Sequence, residues 1–165
     1  MTQFYKDLAA AKPAEELTRQ VLSKLTTEYR FIDVADDPQY YSYGDILATG
    51  KNGSEFFIDV KDDSRIADTK RILCEEEVYF KQDGYTKDGF MYSNYDYLCI
   101  VSKKESRIYI IDFKVLKEIY KKGEPRNFDH PTQETFGYLL DLYLVKKYKA
   151  LKAIINYEKE DVVCY

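Results

Sequence analysis

The sequence predicts a fold that mixes helices and strands, in the α+β or mixed α/β class. Three observations lead to this class: an amphipathic helix near the start, several short strand-like runs bounded by turn residues, and a helical pattern near the end. This order is typical of a three-layer domain in which helices cover a central sheet. A chain of 165 residues, 45% of them hydrophobic, suits one domain over 1–165 with an ordinary core.

The first helix is predicted over 13–28. Pro13 occupies a favourable position in the first turn, and apolar side chains follow at helical spacing. Glu15 falls at the edge of the apolar stripe, near Leu22, whereas Glu16 points largely away. At about 100° per residue, the predicted buried face comprises Ala14, Leu17, Thr18, Val21, Leu22 and Leu25.

The clearest strand signal is a hairpin centred on Asn52. The turn residues at 50–54 separate two strand runs, and antiparallel pairing about Asn52 sets Asp45 opposite Asp59. Directly opposed side chains lie about 4.5–5.5 Å apart. Because strand side chains alternate, Asp59 and Lys61 point to one face and Val60 to the other. The hairpin therefore brings two carboxylates and an ammonium group into one small patch.

The other elements are assigned from similar patterns of apolar residues and turn signals. The run 72–80 fits either a strand or a helix, with a strand favoured in its later half. The last helix is predicted over 131–155, because apolar residues from Phe136 to Tyr148 recur at helical spacing. The remaining predicted elements are strands at 29–34, 41–49, 55–61, 95–102 and 107–113, and a short helix at 115–122 that Gly123 stops.

The opposed aspartates need an explanation, since like charges facing each other across a strand pair are destabilising. A divalent cation removes the repulsion, and Mg²⁺ is usually held by one or two carboxylates, waters and phosphate oxygens. Lys61 is placed to orient or deprotonate an attacking water, or to stabilise charge on a phosphate. The alternative is that these are ordinary solvated charges. An aspartate inside the apolar run 56–60 argues against that alternative.

This set of residues resembles the PD-(D/E)xK, or restriction-endonuclease-like, nuclease superfamily. Asp45 matches its first aspartate, Asp59 its second acidic residue and Lys61 its lysine, within a resemblance that covers about 14–111. Gly44 stands where the name-giving proline would be. The resemblance implies a three-layer restriction-endonuclease-like core, with a central mixed sheet flanked by helices, and a divalent-metal-dependent nuclease whose expected substrate is DNA.

The resemblance also implies a metal site and its ligands. Mg²⁺ or Mn²⁺ would be held by Asp45, Asp59 and the main-chain carbonyl of Val60, and Lys61 would act on the water. Members often add an acidic residue from the first helix, which makes Glu15 a fourth catalytic candidate. The alternative is that Glu15 and its neighbour only complement the positive end of the helix dipole.

A weaker resemblance links the later sequence to phage-type or mobile-element members. In those nucleases an acidic residue follows the lysine strand, and an Asp-Tyr pair opens a later strand. The run Arg71-Ile-Leu-Cys-Glu75-Glu76-Glu77 and the segment Asn94-Tyr95-Asp96-Tyr97 match this order. An exposed charge run is an equally good interpretation of the three glutamates.

Composition limits the expected compartment and partners. No stretch approaches the roughly 20 apolar residues that span a bilayer, and the first residues lack the pattern of a signal peptide. A cytoplasmic protein with no membrane partner is therefore expected. The three cysteines are widely spaced and indicate neither a disulfide framework nor a zinc site. A net charge of −4 argues against coating nucleic acid by bulk electrostatics, so recognition is expected at a local groove.

Several alternatives stay open from the sequence. A non-catalytic nucleic-acid-binding or protein-binding module on the same fold is the main one. A nuclease acting on RNA or on a branched junction would share the same metal chemistry. A homodimer is also considered, because enzymes that cut both strands often pair two active sites. Tyr40, Tyr41 and Tyr43 precede Asp45 and are placed to stack on a base, although tyrosine is also an ordinary half-buried strand residue.

Overall fold

The computed structural model describes residues 13–165, which form four α-helices, eleven β-strands and three short 3₁₀ turns. The helices are α1 (Ala14–Leu25), α2 (Ile66–Thr69), α3 (Phe113–Ile119) and α4 (Leu142–Lys147), and the 3₁₀ turns are Pro38–Tyr40, Phe90–Tyr92 and Tyr120–Lys122. The strands are β1 (Tyr29–Asp33), β2 (Ile46–Gly50), β3 (Glu55–Asp62), β4 (Arg71–Phe80), β5 (Tyr85–Asp88), β6 (Tyr97–Ser102), β7 (Arg107–Asp112), β8 (Glu124–Asp129), β9 (Gln133–Asp141), β10 (Leu151–Asn156) and β11 (Asp161–Cys164).

The strands make two sheets. The main sheet has seven strands in the order β1-β2-β3-β6-β7-β10-β11, and the second sheet has four in the order β5-β4-β9-β8. In the main sheet only β3 and β6 run parallel, and every other neighbouring pair is antiparallel. The predicted mixed α+β class is therefore confirmed, with a mixed sheet at its centre.

The predicted hairpin is formed with the predicted register. Ile46 pairs with Ile58 and Leu47 with Phe57, so the pairing is centred on Asn52. Local hydrogen bonds close the turn: the Gly50 N–H donates to the Ser54 carbonyl at 2.7 Å, and the Ser54 N–H donates to Asn52 Oδ1 at 3.0 Å. β2 begins at Ile46, so Asp45 lies one residue before the strand and remains opposite Asp59.

One face of the main sheet is covered by α1. Leu17 and Val21 pack with Ile58 and Val60 in a cluster that also takes in alternate residues of β6 and β7. The helix buries the predicted face apart from Leu25, which is 44% exposed, since the helix ends at that residue rather than at 28. α1 thereby fixes which side chains of β3 point away from it.

The opposite face of the main sheet packs against the second sheet and α3. Leu98 and Ile100 of β6 meet Ile72 of β4, Leu140 of β9 and Leu116 of α3 in one buried cluster. The layer on this side thus combines strands and helices, whereas helices alone had been expected. Asp59 and Lys61 point into the region between the two sheets.

The predicted last helix over 131–155 is wrong. Its first part is β9, which pairs along its whole length with β4, and its last part is β10, at positions 151–156 of the main sheet. Only Leu142–Lys147 is helical. Apolar residues at helical spacing are outweighed here by long-range pairing, since β9 is hydrogen-bonded to β4 on one side and to β8 on the other.

Other assignments differ less from expectation. The ambiguous run 72–80 is strand throughout, as β4. The short helix starts at Phe113, two residues earlier than predicted, because the Asp112 side chain accepts a hydrogen bond from the Val115 N–H and caps it. The strands β5, β8 and β11 were not predicted. None of the helices within residues 13–165 has the length and apolar composition required to cross a bilayer.

Candidate active site

Asp45, Asp59 and Lys61 meet on the face of the main sheet that points toward the second sheet. On β3, Asp59 and Lys61 alternate with Ile58 and Val60, whose side chains pack toward α1. Lys61 Nζ lies 2.9 Å from Asp59 Oδ2. Asp45 Oδ2 accepts a hydrogen bond of 2.9 Å from the Val60 N–H, which holds its carboxylate against the same strand. The convergence predicted from the hairpin is therefore present.

Gly44 allows Asp45 to take this position. Its φ is +123°, a conformation that L-residues with a side chain rarely adopt. A Cβ atom at Gly44 would also lie 2.8 Å from the Ile58 carbonyl oxygen. Proline, whose φ is fixed near −65°, is excluded here. The presence of glycine rather than proline at this position thus has a backbone cause, and it removes no chemical group from the site.

The environment of Asp45 disfavours its charged form. Burial and the neighbouring Asp59 carboxylate raise the pKa of Asp45 from 3.8 to about 6, and the Val60 N–H and Lys61 oppose the change only in part. Removing both carboxylates from water and facing them together therefore costs free energy in the folded chain. A bound cation is the usual means of offsetting that cost.

Two buried oxygens near this pair lack hydrogen bonds. Asp59 is 8% exposed, and its Oδ2 has the Lys61 ammonium as an ion-pair neighbour but no hydrogen bond of regular geometry. The Tyr95 hydroxyl, on a side chain that is 5% exposed, also has no partner. Burial raises the pKa of Tyr95, as do the charges of Asp59 and Asp45, so the hydroxyl stays protonated.

Lys61 is held as a cation. Burial opposes its charge, but Asp59, Asp45 and Glu75 outweigh that effect and raise the pKa of Lys61. Its Nζ also lies 5.4 Å from the centre of the Phe90 ring, within the range of a cation–π contact. A lysine in these surroundings donates hydrogen bonds and positive charge.

Glu75 approaches the site from the second sheet. β4 contains a bulge between Glu75 and Glu77, where the pairing with β9 shifts by one residue, and bulges commonly redirect side chains next to active sites. Burial raises the pKa of Glu75, while Lys61, Lys87 and a hydrogen bond from the Phe90 N–H lower it. Glu75 is thus a third acidic group, after Asp59 and Asp45, that acts on Lys61, and it does so across the gap between the sheets.

Gly89 brings the Phe90 turn close against β4. The Gly89 N–H donates to the Glu76 carbonyl at 2.7 Å, and a Cβ atom at Gly89 would lie 2.3 Å from the Glu75 carbonyl oxygen. Only a residue without a side chain fits against β4 at this point. The glycine therefore positions both the Phe90 ring and its N–H.

A cavity of about 230 Å³ opens beside these groups, with Lys61, Glu75 and Phe90 in its lining. It shares Arg65 with a neighbouring cavity of about 410 Å³. The site is thus reached from a recess large enough for part of a ligand, with a cation and a carboxylate in the wall of the smaller cavity.

Glu15 lies apart from this group. Its helix, α1, covers the face of the main sheet opposite to Asp59, and within residues 13–165 no hydrogen bond or ion pair links Glu15 to the three predicted residues. The basic residues that follow β3 are largely ion-paired: Lys70 with Glu105, Arg71 with Asp141 and Glu124, and Lys81 with Asp129.

The sequence missed how Glu75, Tyr95 and Phe90 would be arranged. In the sequence Glu75 belongs to a run of three glutamates. The bulge that separates it from its neighbours cannot be recognised from a single sequence. Asp96 of the matched Asn-Tyr-Asp-Tyr segment has a structural role, since it accepts a hydrogen bond of 2.8 Å from the Phe57 N–H and donates one of 2.9 Å back to the Phe57 carbonyl. The one sequence feature that indicated the Phe90 turn was Gly89, because glycine is typical of turns that pack closely on another strand.

The residues present fit a hard divalent cation. Within 13–165 no three His, Cys, Asp or Glu side chains form a metal-ligand group. Mg²⁺ commonly needs only one or two carboxylates, with water and phosphate oxygens completing its shell. Asp45 and Asp59 supply that pair, one oxygen of which lacks a hydrogen bond.

Comparison of the chain with family models, curated proteins and solved structures finds no match.

Proposed function

We propose that this protein is a divalent-metal-dependent nuclease that hydrolyses phosphodiester bonds, with DNA as its substrate. The observation that carries the proposal is the pair of opposed, desolvated carboxylates, Asp45 and Asp59, with Lys61 beside them. A chain selected only for stability would not keep two like charges in this arrangement. Strongly perturbed acidic groups beside a cavity are typical of functional sites.

Asp45, Asp59 and the Val60 carbonyl would hold Mg²⁺ or Mn²⁺. The metal, when bound, supplies positive charge at the scissile phosphate and makes a water molecule a better nucleophile. The protein contributes the fixed position of the two carboxylates, which the glycine turn and the Val60 N–H set before any substrate arrives. Such preorganisation spares the reaction the cost of assembling the charges.

Lys61 and Glu75 have complementary roles in this proposal. Because the pKa of Lys61 is raised, it acts as a hydrogen-bond donor to the phosphate or to the attacking water rather than as a base. Glu75 carries a raised pKa and faces Lys61, which suits a carboxylate that accepts the proton released by the water. Glu75 thereby replaces Glu15 as the fourth member of the site.

The same arrangement supports a restriction-endonuclease-like core. A helix packs on one face of the hairpin, Asp45 directly precedes β2 while Asp59 lies within β3, and β3 pairs in parallel with the next main-sheet strand, β6. In the proposed core, α1, the main sheet and the α3 side form the three layers.

A cleavage assay with matched variants tests the proposal. Supercoiled, linear and single-stranded DNA would be incubated with the protein and Mn²⁺, and products separated on gels. The wild type and Asp68→Asn, which alters an exposed carboxylate paired with Lys104 at 2.7 Å, should cut equally. Asp59→Asn and Lys61→Met should lose about 100-fold or more in rate.

Calorimetry with Mn²⁺ provides the second readout. Metal binding should be strong in the wild type and in Asp68→Asn and should be lost in Asp59→Asn. The nuclease hypothesis is abandoned if no form of nucleic acid is cut and no metal binding depends on Asp59. Nucleic-acid binding that is unchanged in both site variants would instead identify a non-catalytic module on this fold.

A further inference from the structure

Three exposed tyrosines border the candidate active site on two adjoining turns. Tyr41 is 67% exposed, Tyr43 is 42% exposed and Tyr92 is 56% exposed. We refer to these three residues as the aromatic rim. Tyr41 and Tyr43 lie in the turn that leads into Asp45, and Tyr92 lies in the 3₁₀ turn that begins with Phe90.

The tyrosines of the first turn pack on Phe57 of β3. The rings of Tyr40 and Tyr43 lie 5.8 and 5.0 Å from the Phe57 ring, centre to centre. Phe57 is on the same face of β3 as Asp59, two residues along, which places it about 7 Å from the carboxylate position along the strand. Tyr43 therefore packs on the residue of β3 that precedes Asp59 on the same face of the strand.

The second turn borders the site from the Lys61 side. Phe90 lines the same cavity as Glu75 and places its ring 5.4 Å from Lys61 Nζ. The two turns also contact each other, because the Asn94 N–H donates to the Ser42 carbonyl at 3.3 Å. Ser42 lies between Tyr41 and Tyr43, so this hydrogen bond joins the two turns that carry the aromatic rim.

We propose that the aromatic rim binds unpaired nucleotides of a DNA strand next to the scissile phosphate, an inference that rests on the proposed nuclease function. Aromatic side chains that stay exposed beside a charged site offer their faces to bases, and such stacking tolerates any sequence. In a duplex those base faces are already stacked on their neighbours. The substrate class is therefore DNA that is single-stranded, or locally unpaired, at the cut.

The charge balance agrees with this assignment. A net charge of −4 leaves little bulk attraction for a phosphate backbone, and the basic residues after β3 are mostly occupied by carboxylates. Stacking on the rim supplies binding energy that does not depend on net positive charge. Lys61 at the centre then needs to contact only the phosphate to be cut.

Binding measured without metal tests the rim separately from catalysis. Fluorescence anisotropy with a short labelled oligothymidine in EDTA would be compared for the wild type and for rim variants. Tyr41→Leu and Tyr92→Leu should each weaken binding about fivefold or more, while Tyr41→Phe and Tyr92→Phe, which keep the ring, should bind as the wild type does. Tyr143→Leu, at a tyrosine on α4 that is 70% exposed, should leave the Kd unchanged.

A duplex and an oligouridine of the same length complete the experiment, and both should bind more weakly than oligothymidine. The rim proposal is overturned if the leucine variants bind normally, if the phenylalanine variants lose binding, if Tyr143→Leu is equally impaired, or if the duplex or the RNA is preferred. Failure of the nuclease proposal has a different signature, namely rim-dependent binding in EDTA without any cutting in Mn²⁺. If the rim variants cut DNA at the wild-type rate, the rim proposal is refuted and the nuclease proposal is not.

Discussion

Replacing Asp45 by asparagine should stabilise the metal-free protein at alkaline pH. The folded pKa of Asp45, about 6, is above its ordinary value of 3.8. The folded state therefore holds a proton, between about pH 4 and 6, that the unfolded state releases. The stability associated with that proton is fully present below about pH 4 and is lost as the pH rises through about 6. Asparagine stays neutral throughout and still accepts the Val60 N–H bond.

The expected change in the free energy of unfolding follows from the size of the change in the Asp45 pKa. About two pKa units correspond to about 3 kcal/mol for a fully buried group. Asp45 is only partly buried, so screening by water reduces the expected gain for Asp45→Asn to about 1–2 kcal/mol above pH 7. For a protein of this length that gain equals a rise in Tm of about 2–8 °C. Below about pH 4.5 the two proteins should be nearly equal in stability.

Urea unfolding in EDTA, followed by circular dichroism from pH 4.5 to 8, measures this difference directly. Urea leaves charge interactions unscreened, and Asp68→Asn serves as the surface control. Adding Mn²⁺ should reverse the order, since only the wild type keeps both carboxylates to bind it. The reasoning is refuted if Asp45→Asn is less stable than the wild type at pH 8 without metal, or if the difference between them does not change with pH.

Three further outcomes are expected from urea unfolding at pH 7. Gly44→Ala should cost about 2–4 kcal/mol, because it adds a clash with the Ile58 carbonyl to an unfavourable φ. Gly53→Ala, with φ +82° but no atom within 4 Å, isolates the backbone contribution and should cost about 1 kcal/mol; equal costs would contradict the clash. Tyr95→Phe removes a buried hydroxyl without a partner and should leave stability unchanged or raise it by up to about 1 kcal/mol. A loss of about 2 kcal/mol would show that the hydroxyl is satisfied. Gly89→Ala, whose φ of −74° is unstrained, should cost about 1–3 kcal/mol through its contact with the Glu75 carbonyl alone; a neutral effect would show that the turn can move away.

The hairpin could be predicted from the sequence because its determinants are local. Turn residues at 50–54 set the loop, and alternation within β3 assigns Asp59 and Val60 to opposite faces. Register and face together place Asp45 beside Asp59 without knowledge of the rest of the chain. The α1 stripe was predictable for the same reason, since one helical period determines its buried face.

The errors lie where distant pairing decides the structure. Residues 133–141 carry leucines and aromatics that suit a helix, yet they form β9 because β4 offers them a partner. Glu75 could not be separated from its acidic neighbours, because the register shift that distinguishes it depends on β9. For Glu15, a helical wheel gives the face of a residue relative to its own helix but not the side of the sheet on which that helix packs, so its part in the site stays a prediction.

The bulge in β4 adds one residue to the strand without disturbing its pairing on either side. Arg71 to Glu75 pair with β9 in one register and Glu77 to Phe80 in another, and the two differ by one residue, Glu76. Deleting that residue would leave a regular ladder with every remaining partner in place. The single extra residue therefore lets both halves of β4 keep regular pairing with β9, while its own carbonyl accepts the Gly89 N–H and ties the Phe90 turn to the strand beside Glu75.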